Sequence, residues 1–134
     1  MFLFSVVIPT YNNLEELKNC LASFENQTIK DFEIIVCVDG STDGTYEFVQ
    51  HHFPKVIVHR NQVSKGYLYC RNKMLNETTA DYAISLDDDA HFLTENPIEI
   101  IEHYFDQNSK CGVIAGRIFW DIVEIENKFS NDKP

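Results

Sequence analysis

Apolar and polar positions alternate along this chain in two rhythms. Leu3–Ile8 is a short, nearly continuous apolar run rich in β-branched residues, the pattern of a strand buried on both faces. From Asn13 to Phe24 the apolar residues Leu14, Leu17, Leu21 and Phe24 recur at helical spacing, with Asn13 as the cap and Glu16 in capping-box position. Phe32–Val38 (FEIIVCV) predicts a second strand, and Thr45–Phe53 a short helix whose apolar face is Tyr46, Phe48, Val49 and Phe53. Lys55–His59 predicts a third, shorter strand, Gly66–Leu75 a helix, and Tyr82–Leu86 a fourth strand. Asn96-Pro97-Ile98-Glu99 opens another helix, with Pro in its first turn, running to about Phe105. Gly112–Phe119 predicts a fifth strand and Val123–Phe129 a sixth.

Strands alternating with helices form βαβ units. The fold class expected is therefore α/β: a Rossmann-like, mostly parallel sheet with helices on both faces, in a single domain spanning residues 1–134. Right-handed crossovers bring every strand-to-helix loop to one edge of such a sheet, and ligands bind in the crevice there. The polar residues directly after each strand are thus the ones to inspect.

Three of these loops are chemically unusual. After the first strand comes Pro9-Thr10-Tyr11-Asn12-Asn13, offering a hydroxyl, an aromatic face and a helix start. After the second comes Asp39-Gly40-Ser41-Thr42-Asp43-Gly44, a tight turn rich in hydrogen-bonding groups. After the fourth come the adjacent carboxylates Asp87, Asp88 and Asp89, which repel one another unless a cation or solvent relieves them. Each has a plain alternative: a capped βα turn for Asp39–Thr42, core filler and a turn residue for Tyr11 and Asn12, a solvated loop for the acidic run. The position of Asp87–Asp89 directly after an apolar strand, inside the ligand crevice, favours a metal for that run. Hard carboxylate oxygens without nearby thiols suit Mg²⁺ or Mn²⁺ rather than zinc. His91, two residues on, reads as a surface residue.

The charge balance sharpens this picture. Acidic residues outnumber basic ones 21 to 11, for a net charge of −10, the wrong sign for a nucleic-acid partner. An acidic chain that holds an anionic substrate needs a local device, and a divalent cation supplies one. The four cysteines (Cys20, Cys37, Cys70, Cys111) are widely spaced and read as reduced, mostly buried small hydrophobes of a cytosolic protein. The opening MFLFSVVI has no charged n-region and no apolar run approaches the ~20 residues of a membrane span. The sequons at Asn26 and Asn76 are accordingly read as chance.

The segments SVVIPTYNN, QT–DFEIIVCVDGSTDGT and DYAISLDDD, in this order and phase, resemble the donor-binding half of glycosyltransferase family 2, over about Ser5–Gly116. Gly66 and Arg71-Asn72 resemble that family's intervening helix motif. The resemblance implies a GT-A fold and a nucleoside-diphosphate sugar as ligand. It implies that Pro9, Thr10, Tyr11 and Asn12 line the nucleotide, with Tyr11 stacked on the base, and that Asp39 hydrogen-bonds the base. It puts Arg71 near the nucleotide and diphosphate and Asp87, Asp88 and Asp89 in the DxD motif, with Asp88 near the ribose and Asp89 on the metal. Val38 stands where the family often has a further acid.

The resulting expectation is metal-assisted, inverting transfer of a sugar to a hydroxyl of a glycan or lipid-linked acceptor of the cell envelope. The chain itself contains no transmembrane segment, so the setting expected is cytoplasmic, at the inner face of the membrane if further regions attach it there. The family's general base and acceptor site lie further downstream and resemble nothing in Ile118–Pro134, so no catalytic base is assigned and the chain alone is expected to bind donor while transferring slowly. Two rivals stand beside this: a non-catalytic nucleotide-sugar-binding module, and a sugar nucleotidyltransferase. The latter would want Gly and Lys in its first loop, and Pro9–Asn13 has neither. A dinucleotide-dependent dehydrogenase is disfavoured because no GxGxxG follows the first strand.

Overall fold

The computed structural model describes residues 2–119. The chain divides into two compact units, Met1–Ile100 and Ile101–Pro134. In the first, β1 (Phe4–Thr10), β2 (Phe32–Asp39), β3 (Ile57–Asn61) and β4 (Tyr82–Ser85) alternate with α1 (Leu14–Ala22), α2 (Thr45–His52) and α3 (Tyr67–Glu77), and α4 (Pro97–Gln107) begins at its end. The strands form one sheet in the order β3-β2-β1-β4, and every pairing is parallel. This is the expected α/β architecture.

All seven residues of β1 are buried, because it lies between β2 and β4 and both of its faces are covered. Val7 packs with Ile35, Cys37 and the α3 residues Cys70 and Met74. Val6, Ile8 and Val36 point to the opposite face by strand alternation and are equally inaccessible, so that face is closed as well. Full burial of such side chains contributes roughly 1.5–3 kcal/mol each. The continuous apolar runs in β1 and β2 follow from this two-sided burial. In α1 the buried stripe is Leu17, Cys20 and Leu21. No helix among the described residues is long and apolar enough to cross a membrane.

Several local expectations are corrected. The third strand is Ile57–Asn61 rather than Lys55–His59, because its pairing with β2 (Ile35 with Ile57, Asp39 with Asn61) sets the register. Its polar end carried no apolar signal. Asn13 precedes α1 but its side chain makes no cap hydrogen bond. Gly112–Phe119 forms no strand: within the second unit, described residues 111–119 are irregular, with Val113 85% and Ile118 73% exposed. An apolar run becomes a strand only when a neighbour satisfies its backbone groups. The proposed strand Val123–Phe129 lies outside the described residues.

Gly40 shows how tightly the carboxyl edge is built. Its φ is +75°, and a Cβ placed there would stand 2.6 Å from the backbone nitrogen of Ser64. Gly44 has a similar φ of +82° but open space around it. Gly40→Ala should therefore destabilise the protein by about 2–3 kcal/mol and Gly44→Ala by only about 1 kcal/mol, since backbone strain alone acts at the second. Urea unfolding midpoints measure the difference; equal losses would mean that the Ser64 contact yields freely.

Candidate functional site

Four loops meet at the carboxyl edge of the sheet around a cavity of about 490 Å³. It is lined by residues 9–13, Asp39, Tyr67 and residues 87–89. Of the residues singled out in the sequence, Pro9, Thr10, Tyr11, Asn12, Asp39, Asp87, Asp88 and Asp89 are brought together here. Arg71 is not part of the lining; it reaches the site by pairing with Asp87.

The acidic run is divided among three environments. Asp87 Oδ1 accepts from the Arg71 guanidinium, which also bonds Ser85 Oγ. Asp88 accepts from Thr10 Oγ1 at 2.7 Å and from Asn13 Nδ2 at 3.1 Å, which ties the end of β4 to the loop after β1. That contact explains why Asn13 does not cap its own helix. Asp89 is exposed and has no hydrogen-bond partner among the described residues. The field of the run registers on Cys20, whose thiol lies 3.8 Å from the Asp87 carbonyl oxygen. Burial first, and then the charges of Asp88, Asp89 and Asp87, push that thiol up to about 12. Cys20, Cys37 and Cys70 are buried free thiols, as expected.

Asp39 is 3% exposed and all of its acceptor capacity is engaged. Oδ1 accepts from Asn61 Nδ2 at 2.7 Å and the Lys65 backbone N–H at 2.8 Å. Oδ2 accepts from Ser64 Oγ at 2.7 Å and the Gly66 backbone N–H at 2.8 Å. Burial pushes the carboxyl up, but these four hydrogen bonds outweigh it and hold the group at about 2. Asp39 thus anchors the whole segment between β3 and α3.

The loop after β1 is fastened to the loop after β2. Asn12, at φ 46°, donates its backbone N–H to Ser41 Oγ at 2.9 Å, and its Oδ1 accepts from the Thr42 backbone N–H at 2.8 Å. The Leu14 N–H at the start of α1 donates to Asp43 Oδ2 at 3.1 Å, while Asp43 Oδ1 accepts from the Thr45 N–H at 3.2 Å. One carboxylate therefore caps two helices. Burial raises the Asp43 carboxyl, the Thr45 and Leu14 hydrogen bonds lower it more, and the net shift is downward.

Three contributors were not read from the sequence: Asp43, the Asn61–Ser64 pair, and Tyr67. Asp43 carried a usable signal, an acid two residues ahead of a helix. Asn61, the polar end of β3, and Ser64, in the loop after it, carried none. Tyr67 falls in the first turn of the helix expected over Gly66–Leu75, but nothing in the spacing says that it lines the crevice.

A metal fits the donors present. Asp89 offers a free hard carboxylate beside two that are already neutralised or hydrogen-bonded. No group of three or more His, Cys, Asp or Glu among the described residues is arranged as a metal cage. Mg²⁺-like ions take one or two carboxylates and complete their shell with phosphate and water, so the single free carboxylate of Asp89 is a donor of the right kind.

A parallel sheet with polar loops and an acidic run at its carboxyl edge places the protein among α/β domains that bind ligand in that crevice. The glycosyl transferase family 2 model matches residues 5–132, and the chain belongs to this family. It is similar to the uncharacterized glycosyltransferase YfnE of Bacillus subtilis, 40% identical over 120 residues, covering 87% of this chain and 30% of YfnE. The UDP-Glc:alpha-D-GlcNAc-diphosphoundecaprenol beta-1,3-glucosyltransferase WfaP of Escherichia coli is 32% identical over 106 residues, covering 76% of this chain and 42% of WfaP. The crystal structure of S. aureus TarS 1-349 in complex with UDP superposes with a TM-score of 0.72 at 25% identity, covering 90% of this chain and 38% of that one. The chain thus spans less than half the length of each.

Proposed function

We propose that this chain forms the donor site of a glycosyltransferase that moves a sugar from a nucleoside-diphosphate sugar to an acceptor hydroxyl, with inversion at the anomeric carbon and with Mn²⁺ or Mg²⁺ held by Asp89. The observation that carries the reading is the division of the acidic run: Arg71 engages Asp87, Thr10 and Asn13 engage Asp88, and Asp89 is left free at the mouth of the crevice. The UDP held by TarS and the UDP-Glc donor and diphosphoundecaprenol-linked acceptor in the name of WfaP support a uridine nucleotide as donor carrier. They also support a glycan or lipid-linked acceptor.

In this reading Pro9–Asn12 line the nucleotide, and Tyr11, 58% exposed, offers its ring to the base. Asp88 faces the ribose. Asp39 sits on the crevice floor beneath the base; of its two side-chain partners Asn61 is buried and Ser64 is exposed, so a base N–H replaces the Ser64 hydroxyl. When bound, a divalent cation offsets the charge that develops on the leaving diphosphate as a Lewis acid. The acceptor's proton goes to a carboxylate base in such reactions, and we assign that role to none of the described residues.

Thermal unfolding with nucleoside diphosphates tests the reading. A ligand at 100-fold its Kd stabilises the folded state by about 2.7 kcal/mol. UDP with Mn²⁺ should raise the Tm by several degrees, and UDP with EDTA by much less. No shift with any nucleoside diphosphate at millimolar concentration, with or without Mn²⁺, would overturn the donor-site reading.

A further inference from the structure

Tyr67 is the first residue of α3 and is 63% exposed, yet it lines the crevice with Tyr11. Its backbone position is not loose. Gly66, at φ 90° and ψ 153°, turns the chain into the helix, and the N–H groups of Lys65 and Gly66 are both held by the Asp39 carboxylate. Its neighbour Tyr69 is engaged, with Lys65 Nζ 3.3 Å from its hydroxyl and 4.7 Å from its ring centroid. The Tyr67 side chain has no hydrogen bond and no ring contact among the described residues. A large, exposed and unpartnered aromatic ring thus stands on a fixed piece of backbone at the wall of a cavity.

Topology tells which part of a ligand it meets. The sheet order is β3-β2-β1-β4, with neighbouring strands ~4.8 Å apart. The free carboxylate Asp89 follows β4, the Tyr11 loop follows β1, and Asp39 ends β2; Tyr67 follows β3. A nucleoside diphosphate with its phosphates at Asp89 therefore runs across β1 toward the β2–β3 side, and its base arrives where Asp39 and Tyr67 stand.

We propose that Tyr67 is a base-contacting residue of this site, a second aromatic face beside Tyr11 for the planar base of the donor nucleotide. The inference rests on the donor-site reading above. A planar base gains from each aromatic surface it covers, while an exposed tyrosine at a helix start contributes little to folding.

Calorimetry with UDP and Mn²⁺ tests it, using inorganic pyrophosphate with Mn²⁺ as a base-free probe. Tyr67→Ala should weaken UDP about tenfold, Tyr67→Phe should bind within about twofold of the parent, and pyrophosphate affinity should be the same in all three proteins. Circular dichroism checks that both variants fold. Equal UDP affinity in Tyr67→Ala and the parent overturns the inference, as does a parallel loss of UDP and pyrophosphate. Absence of UDP binding by the parent protein overturns the donor-site reading, and this inference with it.

Discussion

Asp39→Ala is expected to lower stability by about 3–4 kcal/mol and to weaken nucleotide binding more than tenfold. The parent carboxylate satisfies Asn61 Nδ2, Ser64 Oγ and the backbone N–H groups of Lys65 and Gly66. Hydrogen bonds to a charged acceptor contribute about 1.5–3 kcal/mol each, and they are not additive because all four share one group. Truncation strands buried donors and frees the segment that carries Tyr67, so the nucleotide end of the crevice loses its shape along with its floor. The pH dependence follows from the carboxyl being held at about 2 against an ordinary 3.8. A depressed carboxylate stabilises fully above its unfolded value and loses that contribution as pH falls through its folded one. About 2 kcal/mol should therefore disappear between pH 4 and pH 2. Asp39→Asn has no such charge to lose. Urea titrations at pH 7 and across the acid range should find the variant destabilised at neutral pH and its loss between pH 4 and 2 smaller than that of the parent. An Asp39→Ala protein as stable as the parent would mean the loop after β3 holds itself.

The second large effect falls on binding and leaves the fold alone. Asp89→Ala should remove the Mn²⁺-dependent gain in UDP affinity, a factor of about 100 if the cation contributes about 2.7 kcal/mol. Stability should stay within about 0.5 kcal/mol, as for an exposed side chain without partners. EDTA should reduce the parent to the affinity of the variant and leave the variant unchanged. Asp88→Ala provides the contrast: it breaks the ties to Thr10 and Asn13 and should lower both stability and binding. Calorimetry in Mn²⁺ and in EDTA reads both effects, and retention of the full Mn²⁺ gain by Asp89→Ala would show that another group holds the cation.

The gross fold and the place of the site were legible because both rest on local chemistry. Leu3–Ile8 and Phe32–Val38 are apolar throughout since a parallel strand covered on both faces has no polar side to show. The loops after those strands and after Tyr82–Leu86 stood out because the apolar runs give way there abruptly to turn residues and clustered acids. What each acid does was not legible. Asp87, Asp88 and Asp89 are identical in sequence and adjacent; only the tertiary structure gives Arg71 to the first, Thr10 and Asn13 to the second, and nothing to the third.

Other roles were reassigned for the same reason. Asn13 looks like the cap of α1, yet Asp43, about 30 residues away in sequence and fastened at the next loop, supplies the acceptor. Gly112–Phe119 has the composition of a strand, and composition alone does not bring the hydrogen-bonding neighbour that a strand requires. By itself the sequence determined where β1, β2, β4 and the four helices fall, which loops face one edge, and that an acidic, aromatic site gathers there, because periodicity and turn chemistry act over a few residues. The tertiary structure alone decided which carboxylate is saturated, which is free, and that Tyr67 joins Tyr11 in lining the crevice. Those facts depend on partners brought together across strands, where the geometry of a contact leaves no trace in the spacing along the chain.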